Sequence, residues 1–186
     1  MYSIDILMKE HEFIIDFTNQ LKAMSLSILK GNEVAVEDFK KAIYFSKNFA
    51  DKYHHQKEEK ILFRVMMDTL PPVATQLIRG GMMVEHDLGR LHVKTILESV
   101  EAYEKMPSDD LKLQIIANSI CYGNLLARHI DKEDEAVYQF AIRALSEENM
   151  KIVEDETHSH EDNEQNKQVY EECLAILQEL KDKYNG

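Results

Sequence analysis

Tyr53-His54-His55-Gln56-Lys57-Glu58-Glu59-Lys60-Ile61-Leu62-Phe63 holds two imidazoles and two carboxylates spaced four residues apart. Nothing in the stretch breaks a helix, and on a helix residues i and i+4 share a face one turn apart. His54 therefore pairs with Glu58, and His55 with Glu59. A second stretch, His129-Ile130-Asp131-Lys132-Glu133-Asp134-Glu135-Ala136-Val137-Tyr138, aligns with the first position for position: a histidine, then Lys-Glu-acid, then apolar residues and a ring. Two copies of His-x-x-x-Glu on separate helices organise the rest of the chain.

The 186 residues fit one domain, and at 44% apolar they can bury a sizeable core. The 34 acidic residues outnumber the 22 basic ones and give a net charge of −12, which argues against nucleic acid and against an anionic membrane surface as partners. No apolar run approaches the roughly 18–20 residues that span a bilayer, and the N-terminus lacks a basic region followed by an apolar signal core. A cytoplasmic protein is expected. Cys121 and Cys173 are too few and too far apart for a disulfide framework or a thiolate site, so both are expected to be reduced. With six Gly, three Pro and no strand-like runs bounded by turns, the fold class is all-α.

Taken in order, the first helix should run from Ser3, as N-cap, to Lys30, with Gly31-Asn32 as its stop. Ile4, Leu7, His11, Ile14, Thr18, Leu21, Ser25 and Ile28 form one buried stripe, with a polar ring at its centre. The second helix spans about Val34 to Leu70 and stops at Pro71-Pro72. Its inward face has two readings about 100° apart: Phe45, Phe49, Leu62, Phe63 and Met66 side with His55 and Glu59, while Ile43, Ala50, Ile61 and Val65 side with His54 and Glu58. Gly80-Gly81 should interrupt the third segment, after which Met82 to about Tyr103 carries a stripe of Met82, His86, Gly89, Val93, Ile96 and Val100. Arg90 lies one turn beyond His86, and His92 falls off the stripe.

Ser108 or Asp109 should cap a fourth helix reaching about Leu145, with Ile115, Tyr122, Leu126, His129, Glu133, Ala136 and Phe140 facing inward. A short helix near Ser146 to Thr157, a solvated charged linker holding His158 and His160, and a final amphipathic helix with Val169, Cys173, Ile176, Leu177 and Leu180 on one side complete the chain.

Four helices thus each place a histidine mid-helix, two of them with a carboxylate one turn on. Unrelated imidazoles and carboxylates buried together would carry a large desolvation penalty, which metal coordination offsets by making them all ligands. Imidazole nitrogen and carboxylate oxygen without thiolate suit non-haem iron, or manganese, better than structural zinc. Two carboxylates from two helices can bridge a metal pair inside a four-helix bundle.

Lys9-Glu10-His11, His54 to Phe63, Glu85-His86-Asp87-Leu88-Gly89-Arg90 and His129 to Tyr138 together resemble the hemerythrin-like, HHE cation-binding domain. The resemblance covers about residues 1–145. It implies an up-down four-helix bundle holding two non-haem iron ions, oxo- or hydroxo-bridged; residues 146–186, outside the resemblance, are expected to form a C-terminal helical extension packed on the bundle, whose last helix either adds a fifth element or helps form a dimer. Five histidines and two bridging carboxylates are the implied ligand set. His11, His86, His129 and Glu133 match directly; Arg90 stands where hemerythrins proper have a further histidine, so His54, His55 and Glu58 are taken to restore the set, with Glu59 as the alternate to Glu58. An adjacent histidine pair reaching one site needs a local distortion of the helix.

The leading functional expectation is a di-iron protein, monomer or homodimer, that binds dioxygen or a related small oxidant for storage, sensing or protection. One alternative is an enzyme consuming peroxide or nitric oxide at the same centre. The other is a metal-free helical interaction module.

Overall fold

Gly31, with a φ of 98°, turns the chain out of helix α1, Tyr2–Leu29, at the expected stop. A computed structural model describes residues 1–184, and these form six helices with no strand. After α1 come α2 (residues 36–69), α3 (72–105), α4 (109–144), α5 (Glu147–Glu161) and α6 (Glu164–Tyr184). Ser108 and Ser146 cap α4 and α5, their hydroxyls accepting from the amides of Leu111 at 3.3 Å and Asn149 at 3.2 Å. Ser3 does not cap α1, contrary to expectation. It sits inside the first turn, and its amide and hydroxyl both donate to Glu154 of α5, at 3.2 and 3.1 Å. A carboxylate brought from another helix satisfies the free amide and complements the positive end of α1.

Three of the helices are not α-helical throughout. In α2 the amide of Gln56 bonds the carbonyl of Asp51 and that of Phe63 bonds Glu58, five residues back rather than four. The same wide turn closes from Met83 to Ile78 in α3 and from Tyr138 to Glu133 in α4. Each such π turn advances the sequence relative to the helix face by about one residue, roughly 100°. Gly80 and Gly81, expected to break α3, instead lie within its π turn, Ile78–Met82. In α4 the rotation carries Ala136 to the surface and leaves Phe140 half-buried, so the expected inward stripe fails beyond Glu133. Val137, Tyr138 and Ala141 take its place, each fully buried.

Helix α4 packs against α1 and α3, α2 against α3, α6 along α1 and α2, and α5 against α1 and the second half of α2. Because α2 is covered from both sides, the two faces that competed in the sequence are both buried: Phe45 and Phe63 on one, Ala50 and Val65 on the other. Helix α5 continues through His158 and His160, so the expected linker shrinks to a turn before α6. His158 stacks on Tyr2, ring centroids 3.8 Å apart, and His160 packs edge-on to Tyr53. No helix among the described residues is long and apolar enough to cross a membrane.

Apolar side chains gather in two clusters. One runs from Ile14, Phe17 and Phe45 to Val93, Leu126 and Cys173; the other holds Ile4, Leu7, Phe63, Met82 and Tyr138. Between them, on each of α1 to α4, falls the stretch that carries a histidine. The fold thus places a polar layer where four helices pass from one apolar cluster to the next.

Candidate metal centre

His11, His54, His55, His86 and His129 are between 1% and 4% exposed, and Glu58 and Glu133 are wholly buried. The imidazoles meet in pairs: His11 Nε2 faces His54 Nε2 at 3.0 Å, and His86 Nε2 faces His129 Nε2 at 2.9 Å. Two nitrogens so placed share at most one proton in a conventional hydrogen bond, an arrangement better suited to a cation between them. His55 stacks on His86 with ring centroids 3.9 Å apart. The distortion that a side-by-side pair requires is present, since His54 and His55 close the π-helical stretch Ser46–His55.

The two buried carboxylates lie between the pairs. Glu58 Oε2 is 3.4 Å from His86 Nε2 and 3.7 Å from His54 Nε2, touching both. Glu133 is 3.0 Å from His129 Nε2 by one oxygen and 3.4 Å from His11 Nε2 by the other. Yet Glu58 Oε2 and both Glu133 oxygens lack a hydrogen bond of acceptable geometry among the described residues. Buried, unsatisfied carboxylate oxygens beside clustered imidazole nitrogens fit cation binding, because a metal would take the lone pairs that no donor reaches. Two donor sets have the span for an ion each: one atom from each of His55, Glu58, His86 and His129 lies within 4.8 Å of the others, and so do atoms of His11, His54, Glu58 and Glu133.

Behind the imidazoles stands a shell of carboxylates. Asp134 meets His11 Nδ1 at 2.8 Å, Glu10 meets His54 Nδ1 at 2.8 Å, Glu59 meets His86 Nδ1 at 2.7 Å and Glu85 meets His129 Nδ1 at 2.9 Å. Each partner fixes the ring so that Nε2 points to the centre, the usual support for a ligating histidine. Glu59, the alternate to Glu58 in the sequence, therefore sits outside the cluster, where Arg90 also donates to it at 2.7 Å. Arg90 further binds Asp51 and Asp87, so the residue at the position of a further histidine braces the outer acids. His92 stands apart, half-buried and paired with Asn118 at 3.0 Å.

Two lysines complete matching chains. Lys57 donates to Glu10, which holds His54; Lys132 donates to Glu85, which holds His129. The sequence carried this signal in Glu10-His11 and Glu85-His86, and in a lysine three residues after His54 and after His129.

Among protein groups alone, the centre retains protons at neutral pH. Burial by itself would lower His11, but Asp134 and Glu133 overcome it and raise the ring to about 10. His86 is likewise opposed by burial yet raised to about 11 by Glu133, Glu58 and Glu59. His55, whose Nδ1 stands 3.8 Å from Asp51 without a hydrogen bond, is pushed well below the ordinary histidine range by burial and by the neighbouring imidazoles. Burial works against ionisation of Glu133 too, and the surrounding histidines, His129 first, still hold it well below the usual carboxylate range.

These features define an all-helical protein with a buried, paired histidine–carboxylate centre. The family model described as the Hemerythrin HHE cation binding domain matches residues 2–141, and the chain belongs to that family. The match ends within α4, leaving α5 and α6 beyond it. Comparisons with curated proteins and with solved structures gave no match. Family and side-chain clusters together support metal-ion binding.

Proposed function

We propose that the chain is a non-haem di-iron protein that binds dioxygen, or a related small oxidant such as peroxide or nitric oxide. In this reading α1 to α4 form an up-down four-helix bundle with α5 and α6 laid against it. His11 and His54 would hold one metal and His55, His86 and His129 the other, with the Glu58 and Glu133 carboxylates available to both. The observation that carries the reading is the facing of two Nε2 pairs across two carboxylates of which Glu58 Oε2 and both Glu133 oxygens lack donors. It favours a metal protein over a metal-free interaction module. Iron bound there supplies electrons and a coordination position for a diatomic or peroxide; manganese suits the same donors.

The residues of the chain position and shield the centre. Outer carboxylates hold the rings, the two apolar clusters exclude bulk water, and a cavity of about 120 Å³ lined by His55, His86, Gly89, Arg90 and Tyr122 offers an approach for a small molecule. Mixing the anaerobically reduced, iron-loaded protein with oxygen in a stopped-flow instrument should produce a ligand-to-metal charge-transfer band. Protein that stays colourless and metal-free after anaerobic loading would end this reading. Steady-state consumption of peroxide or nitric oxide above that of free iron, rather than stoichiometric reaction, would identify an enzyme.

Metal uptake should also acidify the solution. Histidines raised to about 10 and 11 stabilise the proton-bound fold below the ordinary histidine range, and that contribution fades as pH climbs through the raised values. A metal accepts only the neutral ring, so loading at pH 7 displaces those protons and affinity increases as pH rises toward them. A pH-indicator dye in weak buffer reads the release; uptake without acidification would contradict it.

A further inference from the structure

Tyr138 is wholly buried, and its place in the centre was hidden in the sequence because ordinary helical spacing puts it on another face than Glu133. The π turn Glu133–Val137 rotates it inward. Its hydroxyl donates to Glu58 Oε1 at 2.5 Å and stands 3.3 Å from His11 Nε2, and its ring stacks on His11 with centroids 5.5 Å apart. Phe63 fills the matching position of the other copy and stacks on His86 at 6.1 Å, bringing no polar atom.

The two donor sets are unequal in a way that this difference offsets. His86 and His129 have a third imidazole, His55, beside them. At the position matching His55 the second copy has Ile130, so the His11/His54 set holds only two imidazoles. The copy that lacks the extra histidine is the one that carries the phenol. We propose that Tyr138 is a metal ligand, its phenol oxygen completing the His11/His54 set as His55 completes the other.

This rests on the di-iron reading above and adds to it an asymmetry between the two metals. Ferric iron is a hard ion that favours anionic oxygen donors, which makes a phenolate beside two imidazoles a suitable third donor. As the oxygen–iron bond forms, the phenol O–H bond breaks and its proton leaves to solvent. No electron is transferred.

The test is resonance Raman spectroscopy of the ferric protein with excitation in the visible, alongside elemental analysis, on wild type and Tyr138→Phe. Phenylalanine keeps the ring packing, as Phe63 does across the centre. Wild type should bind iron and show enhanced tyrosinate ring modes that shift when the protein is grown on ring-deuterated tyrosine. The variant should lose those modes and the accompanying visible band, with its iron either retained or reduced by half. Iron-loaded wild type without tyrosinate modes would overturn the proposal and leave Tyr138 as a hydrogen-bond donor that positions Glu58; modes that persist in the variant would overturn it in favour of another tyrosine. Wild type that takes up no iron would sink the proposal together with the reading beneath it, and elemental analysis separates that failure from the others.

Discussion

Glu58→Gln is expected to empty the centre, lowering metal affinity by more than about 100-fold, beyond the effects usual for outer partners. The Glu58 carboxylate lies against His54 on one side and His86 on the other and belongs to both donor sets, so a neutral amide there weakens both at once. The neighbouring Glu59→Gln supplies the control. Glu59 touches only the far nitrogen of His86 and the Arg90 guanidinium, so its loss loosens one ring and should weaken affinity about 10–100-fold while leaving full metal content at saturation. Elemental analysis after anaerobic loading and desalting reads both. If Glu59→Gln strips the metal and Glu58→Gln retains it, the roles of the adjacent acids are reversed.

Lys57→Met should cost about 3–5 kcal/mol of stability, the usual penalty for removing one partner of a buried ion pair. The Lys57 ammonium is almost wholly enclosed, donates to Glu10 and to Glu161 at 2.6 Å, and lies 4.3 Å from the Tyr53 ring centroid. Without it Glu10 remains buried with only His54 against it. At roughly 2–4 °C per kcal/mol for a chain of this size, the melting temperature should fall on the order of 10 °C. Lys132 makes the equivalent bond to Glu85 but is about half exposed, 49% by side chain, so Lys132→Met should cost about 0–1 kcal/mol. Calorimetry on the two variants reads the contrast. Equal losses would show that burial is not what distinguishes the two lysines.

The difference between those lysines comes from α5, whose Glu161 seals Lys57 and has no counterpart beside Lys132 among the described residues. Several features of residues 1–145 are legible in the sequence: the stripes of α1 and α3, the stop at Gly31, the cap at Ser108 and the alignment of the two His-x-x-x-Glu copies all depend on local spacing. The five clustered histidines, with Glu58 and Glu133, are also legible, because each falls on or beside an apolar stripe that must face inward; the outer acids are not, because they meet only the far ring nitrogens. What escaped notice depended on contacts between distant segments or on departures from ordinary helical geometry. Glu154 caps the start of α1 by accepting from the amide and hydroxyl of Ser3, and α2 is covered from both sides, so both of its faces are apolar. Tyr138 falls on no inward stripe at 3.6 residues per turn, and only the wide turn at Glu133–Val137 brings it in.

Those wide turns mean that backbone length, and not only residue identity, decides what faces the centre. A π turn holds one residue more than an α turn without needing a loop, so shortening α4 by one residue between Glu133 and Val137 would leave the helix continuous while swinging everything after it through about a quarter revolution. A helix built this way acts like a dial: one residue gained or lost turns Tyr138 toward the histidine–carboxylate cluster or away from it, while its composition stays almost the same.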